Sequence, residues 1–253
     1  MANSVSWAKI FEDLNILNHD FSVSPFYLSA LNIKLSVQDF TNTNEKEVRI
    51  LCKQDSRKDR PKIFQDHNLF LLPTKNGHYA IVQGEGYIDI PPIEAEPIEF
   101  NSRLDFDLDT SLVGNSEMQH LDFAFATGLI HEFMHDSSLV LTIRGRKFTP
   151  PFDFYVNSQS VRTSSVQTEV DAGYEGKDKV VLVEAKNSTT KDTIIRQLYY
   201  PFRQWQEHTN KKVYTLFFER DKNKIYNIWQ FSFDDNNNYN SIRLDKCAKY
   251  KIN

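Results

Sequence analysis

The sequence contains no long apolar run, and none lies near its N-terminus. A membrane-spanning helix needs about 20 consecutive apolar residues, and no segment of the 253 residues approaches that length. Residues 1–9 likewise lack the apolar core of a secretory signal peptide. These absences argue against a membrane protein and predict residence in the cytoplasm.

Cysteine is also scarce. The chain has 2 cysteines, Cys52 and Cys247, which are far apart and show no metal-ligand spacing. A disulfide framework or a zinc knuckle needs more cysteines at characteristic spacings. The sequence therefore indicates neither, and both thiols are interpreted as ordinary side chains.

Positive charge is not in excess. The net charge of −4 argues against a histone-like or ribosomal protein, because sequence-independent binding to phosphates needs many unbalanced cations. A metal-dependent nuclease is not excluded, since the carboxylates that hold its metal offset basic residues elsewhere. With 40% hydrophobic and 25% charged residues, the composition is that of an ordinary folded protein.

The N-terminal part shows helical patterns before a charged segment. Apolar residues recur at helical spacing over residues 6–14 and 26–35, which predicts two short helices. Residues 45–52 fit either a helix or a strand. The charged residues 53–62 predict a loop.

A hairpin signal follows this loop. Asn76 and Gly77 separate the apolar runs 69–73 and 78–83, and Asn-Gly between such runs predicts a β-hairpin. Helices, a basic loop and a hairpin are typical of a winged helix, in which one helix enters the major groove and the hairpin touches the DNA backbone. A small α+β cap without DNA contact fits the same pattern.

Prolines indicate where a second domain begins. Residues 90–97 contain three prolines, which favour an extended connector without helix. We therefore predict a winged-helix-like DNA-recognition domain over residues 1–95 and a second domain over residues 96–253.

The second domain alternates helical and β-rich segments. Ser116 and Gln119 form a capping box that opens a helix expected to run through Ile130. Another helix is predicted over residues 193–205, with Pro201 expected to kink it or end it early. The predicted strands are residues 139–143, 152–156, 166–170, 180–183 and 213–218. The fold class is therefore α+β, with a sheet flanked by helices.

Two strands bring charged side chains together. The apolar run 180–183 ends in Glu184 and Lys186, which share one strand face because strand side chains alternate. Asp171 ends the preceding β-rich run and lies a hairpin's length before Glu184. These three groups are expected to converge on one point.

Such a trio suits metal-dependent hydrolysis of a phosphodiester. Two carboxylates fit Mg²⁺, which takes oxygen ligands and leaves room for a phosphate oxygen. Lys186 can orient or deprotonate the attacking water and attract the phosphate. A Glu-x-Lys pair alone is common on surface strands, so the signal rests on the apolar run before it, the acid on the neighbouring strand and the helix after it.

The segments around these residues resemble the PD-(D/E)XK nuclease superfamily. They read EVDAGYE at residues 169–175, VEAKN at 183–187 and RQLYYP at 196–201. The chain is most similar to type II restriction endonucleases that join an N-terminal winged helix to a C-terminal catalytic domain. The likeness is specific over residues 152–205 and looser over the N-terminal half. No proline precedes Asp171, where the motif name implies one.

The resemblance implies a C-terminal restriction-endonuclease-like α/β core with a mixed central sheet flanked by helices. It implies a Mg²⁺-dependent type II restriction endonuclease of a restriction-modification system, which cuts double-stranded DNA at a short specific sequence. The metal ligands then fall on Asp171 and Glu184 and the catalytic lysine on Lys186. Glu169 lies on the same strand face as Asp171 and is an additional acidic candidate. Double-stranded DNA is the implied partner, and a homodimer is left open.

Basic and amide side chains in three regions are candidate contacts to phosphates or base edges. They are Arg57, Lys58, Arg60 and Lys62 in the predicted loop, Arg144, Arg146 and Lys147 in a predicted turn over residues 143–147, and Arg196, Gln197 and Arg203 in the helix after Lys186. A solvated loop or turn accounts equally well for the first two sets.

Two other functions compete with the nuclease interpretation. His131, Glu132 and His135 match the H-E-x-x-H pattern of zinc peptidases, but no third ligand follows at a suitable distance. A winged-helix regulator that binds DNA without cutting it would make the grouping of Asp171 and Glu184 accidental.

Overall fold

The computed structural model describes residues 2–187 and 189–253, and its architecture is α+β. A small antiparallel sheet with short helices comes first, and a seven-stranded mixed sheet follows. The α+β class and the mixed sheet flanked by helices, both predicted from the sequence, are confirmed. Within the described residues, no helix has the length and hydropathy that a membrane span requires.

The N-terminal part packs helices onto a three-stranded sheet of order β1-β3-β2. Its elements are α1 (Ala2–Asp13), β1 (Phe26–Ser29), α2 (Ala30–Ser36), α3 (Thr43–Lys46), α4 (Val48–Leu51), α5 (Lys62–Asp66), β2 (Leu69–Lys75) and β3 (His78–Gln83). Trp7, Phe11 and Phe64 are buried and meet edge to face. These aromatic contacts join α1 to α5 across the core of this part.

The local predictions for this part are largely correct. Helix α1 and the hairpin of β2 and β3 are confirmed, and Gly77 at the turn has a φ of 72°. Residues 45–52 hold the end of α3 and all of α4, which the extended residue Glu47 separates. The helix predicted over residues 26–35 is wrong at its start, because Phe26–Ser29 pairs with β3 and the Ser29 side chain then caps α2.

The C-terminal part forms the larger sheet. Its elements are β4 (Tyr87–Asp89), β5 (Ile98–Phe100), α6 (Glu117–Ala126), α7 (Leu129–Met134), β6 (Val140–Phe148), β7 (Phe152–Val156), β8 (Gln159–Thr163), β9 (Gln167–Glu175), β10 (Lys179–Lys186), β11 (Asp192–Ile194), α8 (Arg196–Gln206), β12 (Lys212–Arg220), β13 (Ile225–Phe233) and β14 (Ile242–Ile252). The large sheet has the order β5-β14-β13-β12-β10-β9-β6. Strand β10 is antiparallel to β9 and parallel to β12.

The two faces of strand β10 belong to different cores. Val180 and Leu182 pack in the cluster that contains residues of α8. Val181 and Val183 pack in the cluster that contains residues of α6 and α7. Since side chains alternate along a strand, Glu184 and Lys186 continue the face that lies toward α8.

Two helices of this part, α6 and α8, have boundaries that differ from the sequence-based prediction. Ser116 caps α6 by accepting a hydrogen bond of 3.1 Å from the Gln119 backbone, but the helix ends at Ala126 rather than at Ile130. Gly128, with a φ of 94°, separates α6 from α7.

The helix predicted over residues 193–205 begins only at Arg196, because Asp192–Ile194 forms β11. Pro201 is predicted to kink this helix or end it early, and the early end is wrong, because α8 continues to Gln206.

The connector over residues 90–97 contains no helix or strand, as its prolines predict. Tyr87 and Ile90 nevertheless pack in the same core cluster as α8, and the Trp229 indole donates to the Pro91 carbonyl at 2.9 Å. The domain boundary near residue 95 stays a prediction.

Candidate active site

The structure brings Asp171, Glu184 and Lys186 together at one end of the β9 and β10 hairpin. Val183 lies opposite Ala172 in this antiparallel pair, so Asp171 and Glu184 are the next residues along the two strands. An Asp171 carboxylate oxygen accepts a hydrogen bond of 2.8 Å from the Ala185 backbone. The convergence expected from strand alternation is therefore present.

Glu184 is held from two sides. The Lys186 ammonium donates a hydrogen bond to the Oε1 atom of Glu184. Gln197 of α8 donates to the same oxygen at 2.8 Å. The Gln197 carbonyl oxygen in turn accepts from the Thr193 hydroxyl at 2.7 Å, which fixes the orientation of the amide.

Burial makes this cluster electrostatically unusual. It raises the pKa of Glu184 to about 7, with Asp171 adding to the effect and Lys186 opposing it. Burial also raises the pKa of Asp171 despite the hydrogen bond from Ala185. For Lys186, burial works to lower the pKa, but Glu184 and the neighbouring acids raise it overall. At both carboxylates burial therefore outweighs the hydrogen bonds and the Lys186 charge that favour the ionised form.

Glu117 is a further acid that the sequence patterns do not identify. It is the first residue of α6, and its carboxylate accepts a hydrogen bond of 3.3 Å from the Asn187 backbone. Its charge raises the pKa of both Asp171 and Lys186. The Ser116 cap marks Glu117 as a helix start. No spacing rule, however, links that helix to Asp171, which lies 54 residues later (171 − 117).

The carboxylates of Asp171 and Glu184 suit Mg²⁺, which keeps water in its shell, better than they suit a metal whose ligands are all protein side chains. Among the described residues, no group of three or more histidine, cysteine, aspartate or glutamate side chains is arranged to hold a metal. Mg²⁺ commonly binds through one or two carboxylates, with water and substrate phosphate completing its shell. Asp171 and Glu184, which are the residues next to the last pair of β9 and β10, would supply those ligands.

These carboxylates line a cleft of about 930 Å³ between the two parts of the chain. Glu117, Glu169, Asp171, Glu184 and Lys186 lie on the C-terminal side. The N-terminal side is formed by α2, by α4 with the residues after it, and by the turn of the β2 and β3 hairpin. A polymer lying in this cleft would contact both parts of the protein.

Residues 53–55, at the start of the predicted basic loop, line this cleft, but the four DNA-contact candidates of the loop do not; these are Arg57, Lys58, Arg60 and Lys62. Arg57 donates to Asp89 at 2.5 Å and lies 3.5 Å from Glu85. Arg60 stacks over the Tyr87 ring with its guanidinium carbon 5.1 Å from the centroid. Both arginines therefore contribute to contacts within the fold.

Lys58 and Lys62, the two lysines of this loop that are predicted to contact DNA, are exposed. Lys58 lies in the single turn of 3-10 helix over Arg57–Asp59. Lys62 pairs with Asp66 at 2.8 Å within α5. Their predicted contact with DNA stays a prediction.

The basic segment over residues 143–147 is not a turn. It lies in strand β6, which pairs with β9 through two register shifts, and Gly145 has a φ of 79° there. Arg144 forms an ion pair with Asp122 of α6, and Arg146 lies 3.2 Å from Glu169. Lys147 is exposed.

The three candidates on α8 have different surroundings. Gln197 contacts Glu184, and Arg196 lines the cleft with its guanidinium 3.5 Å from Asp55. Arg203 is only 7% exposed. It donates to the carbonyl oxygens of Asp153 and Asn236 at 3.3 and 2.8 Å. The Arg203 guanidinium therefore binds within the fold and is not accessible to DNA.

The H-E-x-x-H residues do not share one helical face as that pattern requires. Helix α7 ends at Met134, and His135 follows in a left-handed conformation with a φ of 49°. His131 is buried, and its ring bonds to the Leu139 carbonyl at 3.0 Å. His131 and His135 therefore do not lie one turn apart on a single helix.

Sequence comparisons define the family of this chain. Residues 82–251 match the family described as "Domain of unknown function (DUF6997)", and the chain belongs to that family. Residues 4–81 match a second one, "Domain of unknown function (DUF6996)". No curated protein and no solved structure matches the chain.

Proposed function

We propose that the protein is a Mg²⁺-dependent endonuclease that hydrolyses phosphodiester bonds of double-stranded DNA. The observation that carries the proposal is the meeting of Asp171, Glu184 and Lys186 at the ends of neighbouring strands, beside an open cleft. Two carboxylates and a lysine are the groups that metal-assisted attack of water on a phosphodiester requires.

The order of elements supports a PD-(D/E)XK fold for the C-terminal part. Helix α6 is followed by β6, by the hairpin of β9 and β10, by α8 and by β12, which is parallel to β10. The N-terminal helices and their three-stranded sheet support a winged-helix-like unit. These likenesses motivate the narrower proposal of a type II restriction endonuclease that cuts at a specific sequence.

The side chains have distinct proposed roles. Asp171 and Glu184 would hold Mg²⁺, which when bound supplies positive charge to the phosphoryl transition state and activates water. The raised pKa of Lys186 keeps its ammonium charged, so it is suited to orient water and stabilise developing negative charge rather than to remove a proton. Gln197 holds the Glu184 carboxylate in place through its 2.8 Å hydrogen bond.

Supercoiled plasmid DNA provides the first test of this proposal. The full-length protein should nick or linearise the plasmid with Mg²⁺ and leave it intact with EDTA. Discrete fragments, whose sequenced ends share one motif, would support the restriction endonuclease. Binding to the plasmid without Mg²⁺-dependent cutting would contradict the nuclease and favour a DNA-binding regulator. DNA as partner and the cytoplasm as compartment belong to the same proposal, which leaves open whether the protein acts as a monomer or a homodimer.

A further inference from the structure

The two walls of the cleft carry opposite charge. Asp171 and Glu184 lie on the C-terminal wall, while Lys34 of α2, Arg49 of α4 and Lys53 lie on the N-terminal wall. Lys53 is the first residue of the predicted basic loop over residues 53–62, whereas Lys34 and Arg49 lie outside that loop.

The cations of the N-terminal wall are available to a ligand. Lys34 and Arg49 are exposed, and neither side chain forms an ion pair or a hydrogen bond in the part of the chain that the structure describes. The Lys53 ammonium is 3.8 Å from Asp55 and its side chain is 76% exposed, so solvent weakens that pair. Glu47 also lines this wall but pairs with none of them among the described residues.

Unpaired cations that share a cleft wall repel one another, and that cost is removed when a polyanion lies between them. A nucleic-acid strand also carries phosphates in series. One phosphate can therefore lie at the carboxylates while its neighbours contact the opposite wall.

We propose that Lys34, Arg49 and Lys53 form a phosphate clamp that holds the DNA strand to be cut against Asp171 and Glu184. This inference rests on the proposed nuclease function. It assigns the backbone contacts of the N-terminal part to α2, to α4 and to the first residue of the basic loop, and not to the arginines and lysines over residues 57–62. Because phosphate contacts carry no sequence information, the clamp sets affinity and strand position, while cut-site choice depends on other residues.

The salt dependence of DNA binding tests the clamp. Binding of a short fluorescein-labelled duplex to the full-length protein is followed by anisotropy with Ca²⁺ replacing Mg²⁺, over a series of salt concentrations. Each lost phosphate contact should reduce the slope of log K against log salt by about 0.9. Lys34→Gln and Arg49→Gln should each show this loss, and the double variant about twice the loss.

Lys46→Gln is the matched control. Lys46 is exposed on α3, close to Arg49 in sequence, and does not line the cleft, so its slope should equal that of the wild type. Equal slopes for the wild type, Lys34→Gln and Arg49→Gln would overturn the clamp, as would an equal loss in Lys46→Gln. Thermal unfolding of each variant checks that the fold is retained.

Failure of the clamp can be distinguished from failure of the proposed nuclease function. If the wild type does not cut DNA with Mg²⁺, the nuclease proposal fails whatever the slopes are. If the wild type cuts and the slopes do not change, the clamp alone fails.

Discussion

Gln197 donates a hydrogen bond of 2.8 Å to the Glu184 carboxylate, which links helix α8 to the end of strand β10. Thr193 donates to the Gln197 carbonyl oxygen, so the amide can present only its N–H groups to Glu184. The helix after the Glu-x-Lys pair therefore positions the proposed metal ligand, which is a more specific role than the DNA contact expected from the sequence.

Replacing Gln197 should impair the site without abolishing it. Replacing a residue that orients a metal ligand typically lowers metal affinity or activity by about 10- to 100-fold. Gln197→Leu should therefore lower the cleavage rate by about that factor and raise the Mg²⁺ concentration needed for half-maximal rate. Gln206→Leu, at the far end of α8, is the matched control. A Mg²⁺ requirement unchanged in Gln197→Leu would show that the hydrogen bond is incidental.

The pH dependence of stability should reveal the buried Glu184 carboxylate. Without metal its pKa is about 7 in the folded protein, against an ordinary 4.5. The folded state thus holds the proton more tightly, so this stabilising contribution is complete below 4.5 and is lost as the pH rises through about 7. Glu184→Gln, which stays neutral, should gain stability relative to the wild type across that window, by at most about 3 kcal/mol.

Urea unfolding in EDTA at a series of pH values measures this difference. Burial also raises the pKa of Glu219 to about 6, but that group is common to both proteins and cancels in the comparison. A stability difference that does not change between acidic and alkaline pH would contradict the assignment.

Glu169 should prove dispensable for cutting. Its side chain is 56% exposed and lies 3.2 Å from Arg146, whereas Asp171 is held by the Ala185 backbone beside Glu184. Glu169→Gln should therefore retain cleavage within a few-fold of the wild type, measured under the same Mg²⁺ conditions. Loss as complete as that expected for Asp171→Asn would make Glu169 a metal ligand.

Arg203 should affect stability rather than DNA binding. Its guanidinium donates to the carbonyl groups of Asp153 and Asn236, and to the Tyr199 hydroxyl at 3.0 Å. Arg203→Gln removes these hydrogen bonds and the packing of the guanidinium over the Phe152 ring, and should lower the free energy of unfolding by about 2–3 kcal/mol. Urea unfolding gives the stability and duplex anisotropy gives the affinity. If Arg203→Gln had unchanged stability and weakened DNA binding, the prediction would be contradicted and Arg203 would be a DNA contact.

The sequence predicts those features that depend on neighbours along the chain. The Ser116 cap, the Asn76-Gly77 hairpin and the common face of Glu184 and Lys186 follow from local rules, and all are present. Segment Phe26–Ser29 shows the limit, because its apolar residues fit a helix but its pairing with β3 decides the structure.

The composition of the cleft could not be predicted in this way. Glu117 and Arg49 reach it from α6 and α4, far in sequence from Asp171, and only the tertiary fold places them together. The charged residues 53–62 are the most conspicuous basic segment of the N-terminal half. Their arginines nevertheless pair with acids or stack on Tyr87 inside the fold, because local charge does not show which groups find a partner.

The most direct test of the account compares cutting and binding by the wild type, Asp171→Asn and Lys186→Met. Cleavage of plasmid DNA is timed with Mg²⁺ under single-turnover conditions, and duplex affinity is measured separately with Ca²⁺. Both variants should lose cutting by at least about 100-fold, because a metal ligand or the charged lysine is removed. Both should bind the duplex within a few-fold of the wild type, since the opposite wall is intact. Variants that cut at near wild-type rates would contradict the account.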